Sequence, residues 1–280
     1  MAVAPGGTRR GGRPMTGAEL HVVDAFTDTP FAGNPAGVVL LDGARTDAWM
    51  QSVAAELRHS ETAFVGPVRP DGTRSLRWFT PVTEVALCGH ATLATAHVLA
   101  ADCVFETLSG ELRCAVGAGG WIELDFPADP AVPLDPGPEL REALPGADLV
   151  AAGRGVSDVL VQVGSAAQVR QLRPDLAALA RVPARGIIVT AAAEATGGAD
   201  GGDSDIVSRC FYPSVGVPED PVTGSAHCTL ASWWSPRLGR DELRAEQASP
   251  RGGRLRTRLR GDRVTLAGQA VTVVRGTLVG

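Results

Sequence analysis

The sequence predicts an α+β fold in which two halves each wrap a curled sheet around one buried helix. Three observations carry this. Short alternating apolar segments recur between turn-rich stretches, in a chain with 34 glycines and 20 prolines among 280 residues. That rhythm suits many short strands better than a helical bundle. Two stretches, Gly89–Ala100 (GHATLATAHVLA) and Gly224–Trp234, are small, apolar and uninterrupted, so neither has the polar face that a surface helix presents to water. They also begin alike. Cys88-Gly89-His90-Ala91-Thr92-Leu93-Ala94 in the first half is answered by Thr223-Gly224-Ser225-Ala226-His227-Cys228-Thr229-Leu230-Ala231 in the second.

Residues 1–17 read as a disordered leader, rich in Gly, Arg and Pro and without periodicity, with Met15 as an alternative start. The first half then runs from 18 to 127. It opens with a strand at Glu19–Phe26, a turn cluster at Thr27–Gly37 and a strand at Val38–Leu41. A helix follows at Asp47–Leu57, capped by Thr46, with Trp49, Val53 and Leu57 on one face. Strands are expected at Glu61–Val65, Leu76–Phe79, Gly110–Val116 and Gly120–Phe126, with the first buried helix among them. The Pro-rich stretch Pro127–Pro145 reads as a linker. The second half, 128–280, gives a strand at Val159–Val163, a helix at Leu172–Ala180 and strands at Gly186–Thr190 and Ile206–Phe211. The second buried helix and strands from Leu255 to Leu278 complete it, the last of these free to return to the first half. The tract Gly197–Asp205 carries three Asp, but its spacing fits no calcium loop, and it reads as a solvated turn.

Composition removes several classes. The chain has no Lys, and its net charge is −5, the wrong sign for a general nucleic-acid binder. No apolar run reaches the ~20 residues that span a bilayer, and the N-terminus lacks the apolar core of a secretory signal. Five Cys, at 88, 103, 114, 210 and 228, form neither a disulfide framework nor a zinc pattern, so no metal is expected and a reducing cytoplasm is the natural setting.

The chemistry concentrates around the two helix entrances. A helix N-terminus leaves backbone N–H groups unpaired and partly positive, and glycine lets a ligand approach them closely. Gly89 and Gly224 facing one cleft would hold a carboxylate and any anion developing beside it, without metal or cofactor; the plainer alternative is two packed helices with glycine entrances. Glu61 stands at the edge of an apolar strand. Partial desolvation there would raise its pKa toward the range of a general acid/base, unless it simply points to water. Asp220, in an Asp-Pro turn, either caps that turn or faces the cleft. Ser225 caps its helix or binds a ligand, and His90 carries the same ambiguity. Cys88 is either a thiolate favoured by the helix end or a small buried residue. A Cys88–His90 nucleophilic pair is not expected, since residues two apart at a helix entrance tend not to face each other.

Together these pieces resemble the phenazine-biosynthesis PhzF-like family, within the diaminopimelate-epimerase-like fold. The resemblance runs over about residues 19 to 278. It rests on Asp24-Ala25-Phe26 through Phe31-Ala32-Gly33-Asn34-Pro35, on Ser60-Glu61-Thr62-Ala63-Phe64, and on Phe79-Thr80-Pro81 through Leu87-Cys88-Gly89-His90-Ala91-Thr92. Glu219-Asp220-Pro221-Val222-Thr223-Gly224-Ser225-Ala226 completes it, with Gln247 and Arg251-Gly252-Gly253 as a weaker fifth segment. The resemblance implies two pseudo-symmetric domains, each a sheet or barrel around a central helix, an active site in the cleft between them, no cofactor, and a homodimer. Residue by residue, it implies catalytic roles for Glu61, His90, Asp220 and Ser225, and substrate contact from a loop residue, Asn34.

The expected activity is a cofactor-independent isomerase acting on a small carboxylic or amino acid. Glu61 would move an activated proton, Gly89, His90, Gly224 and Ser225 would hold the anion, and Asp220 would bind an amino group or shuttle a proton. Two rivals remain. One is an epimerase using Cys88 with a carboxylate; Asp220-Pro221 occupies the region where a second thiol would stand. The other is a non-catalytic binding protein, which would be expected to have lost the acid/base set.

Overall fold

The computed structural model describes residues 17–193 and 204–279. The expected leader, Gly17 apart, and most of the Gly197–Asp205 turn lie outside the described residues. The first part of the chain forms β1 (Ala18–Ala25), β2 (Asn34–Leu40), α1 (Asp47–Leu57), β3 (Glu61–Val65), β4 (Arg74–Phe79), β5 (Glu84–Val85), α2 (Gly89–Leu99), β6 (Cys103–Thr107), β7 (Gly110–Val116) and β8 (Ile122–Pro127). The next forms β9 (Val132–Leu134), α3 (Pro138–Ala143), β10 (Leu149–Arg154), β11 (Asp158–Val163), α4 (Ala166–Gln171), α5 (Leu176–Leu179), β12 (Gly186–Ala192) and β13 (Ile206–Tyr212). The chain ends through β14 (Val217–Asp220), α6 (Gly224–Leu238), β15 (Glu242–Gln247), β16 (Gly253–Arg260), β17 (Arg263–Gly268) and β18 (Ala270–Leu278).

The strands make one continuous curled ladder. It runs from β18 through β1, β2, β3 and β4, by way of β6, β7 and β8 to β17. It continues through β16, β15, β13, β12, β11 and β10 to β9. β5 and β14 pair beside β4 and β13. Two antiparallel pairings tie late strands to early ones: β18 lies on β1, with Leu278 opposite Ala18, and β17 lies on β8, with Leu266 opposite Leu124.

The two small-residue helices sit inside this curl. Helix α2 packs on β1, β2, β3, β7, β8 and β18, and α6 on β11, β15, β16 and β17. Every residue of α2 from His90 to Ala96 is buried; Ala and Thr let strands approach the helix from several sides. The Thr92 and Thr95 hydroxyls are satisfied without water, donating to the carbonyls of Cys88 (2.5 Å) and Ala91 (2.8 Å) one turn back. Phe26 is wholly buried nearby. The absence of a side chain at Gly268 makes its room, because a Cβ there would stand 2.5 Å from the Phe26 ring. Among the described residues no helix is long and apolar enough to cross a membrane.

Several expectations are corrected. The Pro127–Pro145 stretch is not a bare linker. It holds β9, paired with β10, and α3, whose Leu140 and Ala143 are buried. Pro138 starts that helix, because a proline in the first turn gives up no hydrogen bond. The helix expected at Leu172–Ala180 is shortened to α5, a single turn capped by Asp175, whose carboxylate accepts from the Ala178 N–H, while α4 ends before it at Gln171. Pro174 separates the two by disfavouring helical backbone at Arg173. Helix α6 runs four residues past Trp234, since Pro236 falls in the last turn before Gly239 (φ +65°) closes it. The turn cluster ends early: Asn34 to Gly37 already belong to β2.

Candidate active site

The N-termini of α2 and α6 meet. A Cβ on Gly89 would lie 3.4 Å from the Gly224 Cα, and one on Gly224 would lie 3.4 Å from the Gly89 Cα. Two positive helix ends therefore abut with no side chain between them. The polar residues singled out in the sequence gather around this point, His90 and Ser225 in the first turns of the helices and Asn34, Glu61 and Asp220 at strand ends.

Glu61 is the first residue of β3, opposite Ala36 of β2 in parallel pairing. The chain reaches it through Arg58, whose left-handed backbone (φ +56°) ends α1. Its side chain is 21% exposed, and its Oε2 lies 3.5 Å from His90 Nε2. Burial raises the Glu61 pKa above the ordinary carboxylate range. Hydrogen bonds from Ser60 and Cys88 and the charge of Arg185 offset part of that rise.

His90 occupies the first turn of α2, almost fully buried. Burial lowers its pKa to about 4, against the pull of Asp220, so the ring is neutral at neutral pH and its contact with Glu61 is not an ion pair. Nε2 also faces Ser60 Oγ at 3.3 Å, while Nδ1 lies 3.4 Å from Cys88 Sγ. This contact corrects the expectation that Cys88 and His90 do not face each other. Cys88 is the extended N-cap residue (φ −146°, ψ 114°), outside the helical spacing on which that expectation rested. Its thiol is not a thiolate, however. Burial first, then the Glu61 charge, push its pKa well above that of a free thiol.

Asp220 ends β14, a strand rather than the expected free turn. Burial raises its pKa to about 6, opposed by His90, Thr223 and Asn34. Its Oδ1 accepts from Asn34 Nδ2 at 2.9 Å and its Oδ2 from the Thr223 hydroxyl at 2.5 Å, while Gln247 Nε2 donates to its backbone carbonyl at 2.7 Å. Asn34 is no loop residue. It begins β2, is wholly buried, and spends its amide on Asp220 and the Val222 carbonyl. Ser60 donates to its side-chain oxygen at 3.3 Å. An unbroken chain of contacts thus runs from Asp220 through Asn34 and Ser60 to His90 and Glu61.

Ser225 is exposed in the first turn of α6, which has no side-chain cap. Its hydroxyl accepts from Arg185 Nη2 at 3.1 Å. Arg185 is gripped in turn by buried Asp158, which takes Nε at 2.8 Å and Nη2 at 2.5 Å, and it lies over the Tyr212 ring. Sequence reasoning passed over Arg185, Asp158, Ser60 and Thr223 as functional residues. Ser60 and Thr223 lay inside the segments that carry the resemblance, and Gln247 in the weaker fifth one, but no role was drawn from them; Arg185 and Asp158 carried no signal at all.

The donor atoms of Glu61, Cys88 and His90 lie within 4.8 Å of one another and could offer a metal three ligands. A metal would have to displace the thiol proton that burial holds in place. As they stand, the three groups form a proton-sharing cluster beside two helix ends.

A protein-family model described as phenazine biosynthesis-like protein matches residues 23–276. The chain belongs to this phenazine biosynthesis-like family. It is 47% identical to an uncharacterized isomerase of Halalkalibacterium halodurans over 274 residues, 95% of this chain and all of that one. A crystal structure of a PhzF-family phenazine biosynthesis protein from Enterococcus faecalis superposes with a TM-score of 0.86 at 36% identity, covering 93% of this chain and 98% of that one. A hydroxyproline epimerase from Agrobacterium vitis, at 12% identity and a TM-score of 0.56, covers 95% of this chain and 94% of its own and shares the fold alone. The fold is the one the sequence predicts, and relatives named isomerases make the chain an isomerase.

Proposed function

We propose that the cleft performs cofactor-independent proton transfer on a small carboxylic or amino acid. Glu61 removes a C–H proton and returns it elsewhere on the substrate. The observation that carries this reading is the pairing of Glu61, made more basic by burial, with a neutral His90 at 3.5 Å, beside two abutting helix N-termini. The helix ends of Gly89 and Gly224, with Ser225, stabilise the negative charge that develops as the proton leaves. Such fixed dipoles cost no reorganisation during the reaction. Neutral His90 donates or accepts a hydrogen bond without carrying charge. Asp220, largely ionised at neutral pH, takes a substrate amino group or shuttles a proton. Asn34 acts by holding Asp220. The family resemblance extends the reading to a cytoplasmic homodimer in secondary metabolism.

The rival reading, an epimerase drawing on Cys88, is favoured by the Cys88–His90 contact and opposed by the raised thiol pKa. One experiment tests both. Wild type, Glu61→Gln and Cys88→Ala are incubated in deuterated water with small unsaturated acids and amino acids, and exchange is followed by NMR. Expected is deuterium entry at one carbon with wild type and Cys88→Ala, and a loss of about 10²-fold or more with Glu61→Gln. Full turnover by Glu61→Gln refutes the assignment.

A further inference from the structure

The Arg185–Asp158 pair has an uneven exposure that gives it a direction. Asp158 is 3% exposed at its side chain, whereas Arg185 is 42% exposed. The pair is neutral as a whole, but its negative end is buried and its positive end meets solvent at the mouth of α6. Asp158 engages Nε and Nη2. Among the described residues, Nη1 has no hydrogen-bond partner. The guanidinium plane is further fixed 5.3 Å above the Tyr212 ring. This is a held cation, so a ligand that docks on it pays little to order it.

Ser225 supplies the second half of the arrangement. Its hydroxyl oxygen accepts from Arg185 Nη2, which leaves the hydroxyl hydrogen free to be donated elsewhere. The two N–H bonds of Nη1 and a free O–H side by side, carrying a positive charge, favour a carboxylate over a neutral carbonyl and disfavour a cationic amine. The charge of Arg185 also reaches Glu61, where it favours the ionised form. The other titratable groups of the cleft, Glu61 and Asp220, would repel a carboxylate when ionised, and His90 is neutral. Arg185 is the cation that offsets that repulsion.

We propose that Arg185, together with the Ser225 hydroxyl, docks the substrate's carboxylate and sets the requirement for an anionic substrate. This rests on the proton-transfer reading of the same cleft. It places the carboxylate on the α6 wall and leaves the reacting C–H to face Glu61 on the opposite wall. Acids that bind should therefore carry the carboxylate apart from the carbon that exchanges.

The test uses binding, not turnover. Sorbate, a conjugated dienoate, and its neutral amide sorbamide are titrated into the full chain by NMR or calorimetry. Wild type and Glu61→Gln are expected to prefer sorbate by at least about tenfold, the effect of one charge-assisted hydrogen bond. Asp158→Asn is expected to keep the preference. The double variant Arg185→Gln/Asp158→Asn, which leaves no buried unpaired charge, is expected to lose it with an unchanged melting profile. Should the double variant fail to fold, Arg185→Lys decides: a loss of preference of severalfold or more supports docking on the held guanidinium, and an unchanged preference overturns it. No preference for sorbate in wild type, or a preference retained by the folded double variant, overturns the proposal. A wild type that prefers sorbate but catalyses no exchange in deuterated water would count against the proton-transfer reading and leave the anion site standing.

Discussion

Asn34→Ala isolates the residue that links the two walls of the cleft. Asn34 is wholly buried and gives one hydrogen bond to the Asp220 carboxylate and one to the Val222 carbonyl, both at 2.9 Å. Truncation leaves the Val222 carbonyl short of a partner and removes one of the contacts of the Ser60 hydroxyl. A buried group stranded in this way costs about 1–3 kcal/mol, so a total loss of about 2–4 kcal/mol of stability is expected. The effect on Asp220 is more specific. Asn34 favours its ionised form, and Asp220 titrates at about 6 with that help. A hydrogen bond to a charged group is worth about 1.5–3 kcal/mol, and one pKa unit is about 1.36 kcal/mol. Because the Thr223 hydroxyl stays on the other oxygen, a rise of about one unit is expected. The assay is ¹³C NMR of labelled Asp carboxyls from pH 4 to 9, with thermal melts on the same samples. An Asp220 that titrates at the wild-type pH or below, in a variant that still folds, would refute the assigned role of Asn34.

Two further predictions concern stability. His227 is fully buried, donates through Nδ1 to the Thr223 carbonyl at 2.7 Å, and has its pKa lowered to about 4 by burial. An unfolded histidine titrates near 6.5, so between these values the unfolded chain binds the proton and the folded chain does not. His227 thus contributes roughly 3 kcal/mol above pH 6.5 that is lost as pH falls toward 4. His90 adds to this slope, and Asp220, with its pKa raised, opposes it. Urea midpoints from pH 4.5 to 7 should vary less in His227→Asn than in wild type, and parallel slopes would contradict the argument. Glu219 forms a two-bond pair with Arg209 at 2.7 and 2.8 Å, with Arg209 only 8% exposed at its side chain. Glu219→Ala should cost about 3–5 kcal/mol by stranding that charge, while Arg209→Leu/Glu219→Leu should recover much of it. A single variant as stable as wild type in urea would refute this.

What the sequence revealed and what it concealed follow from the range of the interactions. The buried helices were legible because a run such as Ala91-Thr92-Leu93-Ala94 lacks a polar face, and that lack is local. Gly89 and Gly224 were legible as helix entrances able to share a cleft, but not as backbones in direct contact. The contact of Asn34 with Asp220 spans 186 residues, and no spacing rule reaches across it. Arg185 stands between Ala184 and Gly186 with nothing nearby to distinguish it from surface arginines. Its meaning comes from Asp158, which β11 and β12 place opposite Gly186 in parallel register. Where local rules failed they were carried too far. Helical spacing was applied to Cys88, which is extended, and proline was read as a break at Pro138, where it begins a turn of helix.

The surroundings of the two carboxyl groups explain why the cleft needs both halves of the chain. Asp220 receives donors at both oxygens and at its own carbonyl, from Asn34, Thr223 and Gln247. Donors at its carboxylate offset part of the burial that raises its pKa to about 6. Glu61 has fewer such donors, and the main charge drawing it toward ionisation is Arg185, on the other wall. On the reading proposed above, that dependence couples binding to catalysis. Before substrate arrives, Arg185 helps keep Glu61 ionised and ready to accept a proton. Once a carboxylate docks on Arg185, the charge facing Glu61 is neutralised and water leaves the cleft. Both changes raise the proton affinity of Glu61. The base becomes stronger when a C–H bond is in place, so Arg185→Gln/Asp158→Asn, which removes the charge facing Glu61, should alter the pH dependence of exchange more than its maximal rate.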